Sequence, residues 1–522
     1  MATDFSKLKA KLDLPVWEPL DLIYTAANAA VTGVAGSCIA SDLRASQYNN
    51  PNLWFLQAST ILMQYNSVFN EWLQLASPAL AGTFGAGAAI VFAPSHGPKG
   101  TLASGATTSK ITLTTALPAT VAANQLVGQR IRIIDNAAGA SGKIAERTII
   151  SNSAGTTPTI TVDSAFGFTP LSGSAYEFLT GRVYMLSAGV LAAGVWKVFD
   201  LCTTSYLAAL ATTNLPATIA TDSSILSMDE LHTPLIGAGG ANVAGEVGGY
   251  FGTLTATGSA ATTITGQATG GDAGILANEY RNFQIRIVED TANPTAVGQR
   301  RRITSHTLGA SPVYTVPAWT VTPSATAKFV IENNNDIILW SSASTATYRY
   351  DWLVNAWDTT TYAARPAAIG AGCVSFHPFS GKQDADKNFR YSNIYSFRGG
   401  SVNTLDMLDI AGGATGLWAG AVAYDNAGLA TFGASAGVEY DPVSNRAIIA
   451  GTQLLNIQCP MFVFDVASHS LKPFKRIPQI ASTVTAGNRV GMNVYVDGTD
   501  KKSFAYMIPS SVGQAYRSLL FV

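Results

Sequence analysis

Apolar positions along this chain come in short bursts, many of them alternating with Thr, Ser or charged residues and separated by Gly- or Pro-containing turns. The run RIRIID at 130–135 is typical: Ile131, Ile133 and their neighbours alternate with arginines. A period of two predicts strands. The N-terminal stretch 3–12, TDFSKLKAKL, departs from it and predicts a short helix capped by Thr3 or Asp4, which Pro15 and Pro19 then break up.

Two short patterns recur. Residues 83–94, TFGAGAAIVFAP, align without a gap with residues 431–442, TFGASAGVEYDP, and residues 370–378, GAGCVSFHP, are a third relative. Each predicts a Gly/Ala lead-in, an apolar strand and a proline turn. The second pattern places an aromatic at each end of a short unit: YNSVFNEW at 65–72, YDWLVNAW at 350–357 and FDLCTTSY at 199–206. FDVASHSL at 464–471 keeps the first aromatic and the Asp, and Asn70 and Asn355 occupy the same place in their units. Such a unit predicts a strand, a tight turn and a returning strand. Asp and Asn bond the turn backbone and the aromatics pack across it.

This unit, together with glycine-rich strand ends such as Arg398-Gly399-Gly400, resembles the kelch repeat. The resemblance implies an all-β fold, a β-propeller of four-stranded blades. Lead-in strands near 83–94, 243–252, 366–378, 430–442 and 486–497 give about five blades, within a range of five to seven. Turn-unit strands near 59–70, 194–203, 346–355, 402–410 and 460–467 give the same number, and 379–418 matches poorly. Pairing the C-terminal strands (486–510) with the N-terminal ones (53–76) would close the ring and remove an exposed sheet edge.

A longer duplication interrupts the propeller. Residues 100–180 and 252–332 are two copies of one module. Gly100-Thr101-Leu102 matches Gly252-Thr253-Leu254, and Ile131-Arg132-Ile133 matches Ile285-Arg286-Ile287. Arg147-Thr148-Ile149 matches Arg301-Arg302-Ile303, Thr161-Val162 matches Thr315-Val316, and Thr169-Pro170 matches Thr322-Pro323. The strand pattern predicts a small β-barrel or sandwich in each. Both copies follow a lead-in strand, so they should project side by side from neighbouring blades. The organisation expected is an N-terminal arm (1–50), propeller (51–99), module (100–180), propeller (181–251), module (252–332) and propeller (333–522).

Composition narrows the function. Charged residues are 12% of the 522, against about 25% in ordinary globular proteins. A surface poor in charge suits packing against neighbours better than free diffusion. Net charge is −1, which gives no footprint for a nucleic-acid groove. The one dense basic run, Arg300-Arg301-Arg302, reads as a solvated face or an interface. Cys38, Cys202, Cys373 and Cys459 are scattered, as are His96, His232, His306, His377 and His469, so no disulfide framework or zinc site is signalled. Residues 23–40 are too rich in Ala, Gly, Thr and Ser for a membrane-spanning helix, and no secretion signal is recognisable.

Local motifs do not point to chemistry. Gly142-Lys143 suggests a phosphate-binding loop, but Ala137 stands where its first Gly belongs and Ile144 where Ser or Thr belongs. The β-branched run that follows opens no helix, so a hairpin turn is expected. The glycines of 237–249 do not fit a dinucleotide fingerprint. Cys373 and His377, the axial residue types of copper-oxidising propellers, read as a core thiol and a turn histidine. Asp384 with Asp386, and Asp406 with Asp409, are separated by short loops or strand steps, whereas a glycosidase needs two carboxylates facing each other across a sugar, and DADKN at 384–388 lacks the Gly and final Glu of a calcium loop and reads as a solvated turn. No catalytic, cofactor-binding or metal-binding residue is therefore assigned, and no cofactor is expected.

The order LVGQRIRI, ERTIIS, TITVDSAF, YEF in the first module resembles small β modules in structural proteins of tailed bacteriophages, where kelch-like propellers also serve as scaffolds. The resemblance implies a non-enzymatic virion component of tail, neck or collar, or a capsid-associated one, assembled in the host cytoplasm. It implies a homo-oligomer in a symmetric assembly, in contact with further copies and other virion proteins. Alternatives on the same fold are a receptor- or glycan-binding adhesin exposing Trp352 or Trp418, and a propeller enzyme acting on polysaccharide.

Overall fold

A computed structural model describes most of residues 18–42, 52–75, 84–229, 254–267, 277–378, 393–426, 432–450, 460–476, 490–508 and 514–521. Among the described residues there is no α-helix, only a single 3-10 turn at Pro294–Ala296, and no helix long and apolar enough to cross a membrane. The expected helix at 3–12 lies outside the described residues.

Five four-stranded sheets and one five-stranded sheet make the propeller. Their first strands are Cys38–Ser41, Ala89–Ala93, Ser224–Ser227, Val374–Phe376, Gly437–Asp441 and Val490–Asp497. Each of these strands lies beside the next, and the last lies beside the first, so they form a closed inner ring. We number the blades one to six in that order. The count falls inside the range read from the sequence. The lead-in expected at 243–252 lies outside the described residues, and Ser224–Ser227 is the inner strand at that point of the ring.

The ring closes through a shared blade, but with different strands from those expected. Glu18–Leu22 adds to Gln514–Phe521 as the outermost strand of blade six. Strands Asn52–Leu56, Leu62–Asn66 and Glu71–Gln74 belong instead to blade one, with Cys38–Ser41 inside them. The described part of 1–50 is thus propeller, which corrects the reading of an N-terminal arm. Leu20, Ile23 and Ile39 are buried with Leu53, Phe55 and Tyr506 between blades one and six. Pro19 had suggested a chain breaker. It sits opposite Tyr516 in an outermost strand, the part of a sheet where proline is accommodated.

Both modules are inserted at equivalent points. Ala89–Ala93 pairs with Arg182–Leu186 in blade two, and Ser224–Ser227 with Ile337–Trp340 in blade three. Everything between those paired strands leaves the blade. The first module is a closed barrel: Lys99–Thr101, Ala175–Phe178, Arg130–Asp135, Lys143–Asn152, Thr159–Val162 and Lys110–Thr112 pair in that order. A bridge between Leu102 and Leu113 joins the last to the first. The second module repeats this circuit with Leu254–Ala260, Lys328–Glu332, Gln284–Glu289, Arg300–Arg302, Ser305–His306, Val313–Thr315 and Thr263–Gln267. The strand that is continuous in the first barrel is split here into Arg300–Arg302 and Ser305–His306. Closure removes sheet edges, which explains why a short Thr- and Val-rich module can stand on a loop.

Candidate interaction site: the joined barrels

The two barrels share one thirteen-stranded sheet system. The joint is the hairpin between Arg130–Asp135 and Lys143–Asn152, where Lys143 pairs with Glu289 of the second barrel. Gly142 has φ +65° and its carbonyl accepts the Asp290 N–H at 2.8 Å. A Cβ at Gly142 would stand 2.1 Å from the Asp290 carbonyl oxygen, so only glycine lets the two backbones meet. Asn136 adds a side-chain bond, donating Nδ2–H to the Val297 carbonyl at 3.2 Å. The Gly142-Lys143 step is therefore a turn, as expected, and its second use is to weld two modules.

Behind the joint lies a buried chain of charges. Arg132 donates Nε–H to Glu146 at 2.9 Å and Nη1–H to Glu177 at 2.8 Å. Arg286, its counterpart in the second barrel, donates to Glu332 at 2.7 Å and to Glu177 at 3.2 Å. Arg300 pairs with Glu332 at 3.2 Å. Burial opposes the charge on Glu177, yet Arg286, Arg132 and Arg300 outweigh it and hold the carboxyl down at about 2. Burial likewise opposes charge on Glu332, and Arg286 with Arg300 lowers its pKa. A buried ion network gives little net stability compared with apolar packing, but a broken one is costly. Here the network spans both barrels, with Glu177 of the first bonded to Arg286 of the second.

The barrels are also tied down to the blades. His96 is fully buried on the segment that leaves blade two, stacked 4.3 Å from Trp352 of blade three. Its Nε2 faces the Asn335 carbonyl at 3.2 Å and so carries the proton, leaving Nδ1 to accept from the Tyr184 hydroxyl at 2.8 Å. Burial, aided by Arg182, lowers the His96 pKa well below 6.5. Ser95 and Asp229 are close by, but the Ser95 hydroxyl donates to Asp229 at 2.6 Å and not to the imidazole. Ser95, His96 and Asp229 are therefore a clamp between two blades, with the serine turned to the carboxylate and not to the base. Arg302 of the second barrel and Arg349 of blade three converge on Asp336, and Arg281 and Asn282 of the second barrel bond carbonyls of blade four at Gly413 and Ile410. Sequence reasoning did not single out this clamp, because its members come from loops 134 residues apart.

The arginine run Arg300–Arg302 is an internal interface: Arg301 lies over Trp319 and Arg302 binds Asp336. Cys373 contacts the hydroxyls of Ser375 and Ser396 at 3.7 and 3.6 Å, and His377 is buried. Among the described residues no group of three His, Cys, Asp or Glu could hold a metal. Asp406 is buried and taken by Arg365 and Arg398 at 3.0 and 2.8 Å. Asp409 lies three residues along the same strand and so on the other face. Asp384, Asp386 and the glycines of 237–249 lie outside the described residues. The two tryptophans expected on a propeller face are not displayed there. Trp352 is 8% exposed against His96, and Trp418 is half-buried beneath the Arg365 guanidinium, 4.7 Å away. Near the axis, Gly87, Ser223, Gly372 and Ala436 line a cavity of about 80 Å³, room for a few waters only.

Exposed apolar side chains remain on the barrels: Val127 (47%), Ile150 (52%) and Leu308 (70%). No protein-family model matches the chain, and no curated protein matches it. Among solved structures, an auxiliary nutrient binding protein from Bacteroides thetaiotaomicron VPI-5482 aligns over 97% of this chain and 94% of its own, with 7% identity and a TM-score of 0.23. That similarity is too low to carry an argument about fold or function.

Proposed function

We propose that this protein is a non-enzymatic scaffold of a tailed-phage virion, in the tail, the neck or collar, or associated with the capsid. The propeller is the rigid body, and the joined barrels are the part that meets neighbouring copies and other virion proteins. One observation carries the reading: two duplicated modules are welded into one body by Gly142 and by the Arg132–Glu177–Arg286 chain. Joining two inserted modules makes one larger projecting body out of two. The low charge content of the chain and the exposed Val127, Ile150 and Leu308 suit contact with a partner.

Electron microscopy of native assemblies tests this. The expected result is a symmetric ring, or density on the particle, with the barrel pair at the contact. Charged replacements Ile150→Asp and Leu308→Asp should then weaken assembly without changing thermal stability. A monomer at all concentrations, absent from purified particles, would sink the proposal.

A further inference from the structure

The outer rim between blades one and six holds a cleft enclosing about 400 Å³. This is the size range, about 300–1,000 Å³, of ordinary small-molecule sites. Two aromatic rings line it, Trp72 from the outer strand of blade one and Tyr24, which follows the closing strand of blade six. Between them stand three amides, Gln64, Asn66 and Asn70, and one carboxylate, Glu71. We propose that this cleft is a binding site for a neutral saccharide.

The chemistry of the lining selects that class. A sugar ring has an apolar C–H face that packs on an aromatic ring and a rim of hydroxyls that both donate and accept. Amides match such hydroxyls because each offers a donor and an acceptor, and a carboxylate accepts from adjacent hydroxyls. Among the described residues no lysine or arginine lines the cleft to pair with a sialyl, sulfate or phosphate group, and Glu71 repels one. A quaternary ammonium would use the rings and Glu71 but has no hydroxyl to bond Gln64.

The site is also held ready. Trp72 packs 4.9 Å from Tyr65, with Phe55 edge-on at 6.3 Å, and the Tyr65 hydroxyl donates to Asn70 Oδ1 at 2.9 Å. The equivalent unit of blade three shows what these residues do when they serve packing alone. There Tyr350 holds Asn355 in the same way, at 2.9 Å, but Trp357 is 1% exposed against Trp196. In blade one the same aromatic is half-buried and opens onto a cleft.

The test is a glycan array carrying neutral, sialylated and sulfated glycans, probed with the full chain and followed by titration of the retained glycan, with choline as a separate probe. Neutral glycans should be retained, and Glu71→Ala and Gln64→Ala should each weaken binding at least tenfold with an unchanged melting temperature. Trp72→Phe, which keeps a ring, should bind better than Trp72→Ala. Retention of no neutral glycan, a preference for anionic glycans or choline, or binding unchanged in both rim variants would each overturn the proposal. The scaffold reading stands or falls separately, since a rim variant leaves the barrels untouched.

Discussion

Glu177 of the first barrel and Arg286 of the second hold carboxylate and guanidinium 3.2 Å apart inside the joined body. Arg132 binds the same carboxylate at 2.8 Å from its own barrel, so Glu177 is an acid common to both modules. Glu177→Ala leaves two buried guanidinium groups short of a partner and should cost about 3–5 kcal/mol. Urea unfolding followed by tryptophan fluorescence measures this. A loss under about 1 kcal/mol would mean that water reaches the seam.

The same residue fixes an acid limb. Its pKa falls from 4.5 in the unfolded chain to about 2 in the fold. The unfolded state therefore binds the proton first, and the stabilisation is complete above pH 4.5 and lost as pH falls toward 2. The contribution is about 3 kcal/mol at most. Glu177→Gln should flatten stability against pH in that window and nowhere else.

Two glycines of one hairpin separate strain from collision. Gly139 (φ +80°) faces open space, whereas a Cβ on Gly142 (φ +65°) meets the Asp290 carbonyl. Gly139→Ala should cost only the left-handed penalty, about 1 kcal/mol. Gly142→Ala should cost clearly more and should raise hydrogen exchange at the Asp290 amide, whose acceptor is the Gly142 carbonyl. Equal costs would argue against the weld.

Asn355 has φ +51° and accepts from the Tyr350 hydroxyl. Tyr350→Phe removes one hydrogen bond and should cost about 0.5–1.5 kcal/mol. Asn355→Gly keeps the backbone conformation and should be milder than Asn355→Ala, which suffers it. Thermal denaturation of the three variants gives the ranking.

His96 is held neutral in the clamp, with a pKa well below the ordinary 6.5. The unfolded chain takes up its proton first, so stability is full above about pH 6.5 and declines below it, by up to about 1.4 kcal/mol per pH unit. His96→Phe keeps a ring against Trp352 and removes the titration. Its melting temperature should depend less on pH between 7 and 5 than that of the parent chain.

Much of this molecule was legible in its sequence because strands and turns are local. YNSVFNEW and YDWLVNAW announced the hairpins that now carry Tyr65–Asn70 and Tyr350–Asn355. The matched Ile131-Arg132-Ile133 and Ile285-Arg286-Ile287 announced two like barrels. What stayed hidden depends on distant partners. In the sequence Arg132 and Arg286 are only matched polar steps of two alternating strands, and their burial comes from the meeting of the barrels. Pro19 read as an interruption because the sequence does not say that its strand would be outermost. Trp72 and Trp357 occupy one place in one motif, and the neighbour that covers the second and not the first lies elsewhere in the chain.

The closing blade sets the order in which this chain can become whole. Blades one, four and five are built from consecutive segments and can begin to form while synthesis continues. Blade six cannot, because Glu18 must wait for Arg517, 499 residues later. Until then the ring has two open faces, between blades five and one, with apolar residues such as Ile39, Phe55 and Tyr65 uncovered. Pairing over such a separation carries the loop-closure cost of most of the chain, so it is a late and slow event. The nascent protein is most open to capture by chaperones, or by a second unfinished copy, during the interval before its last strand arrives.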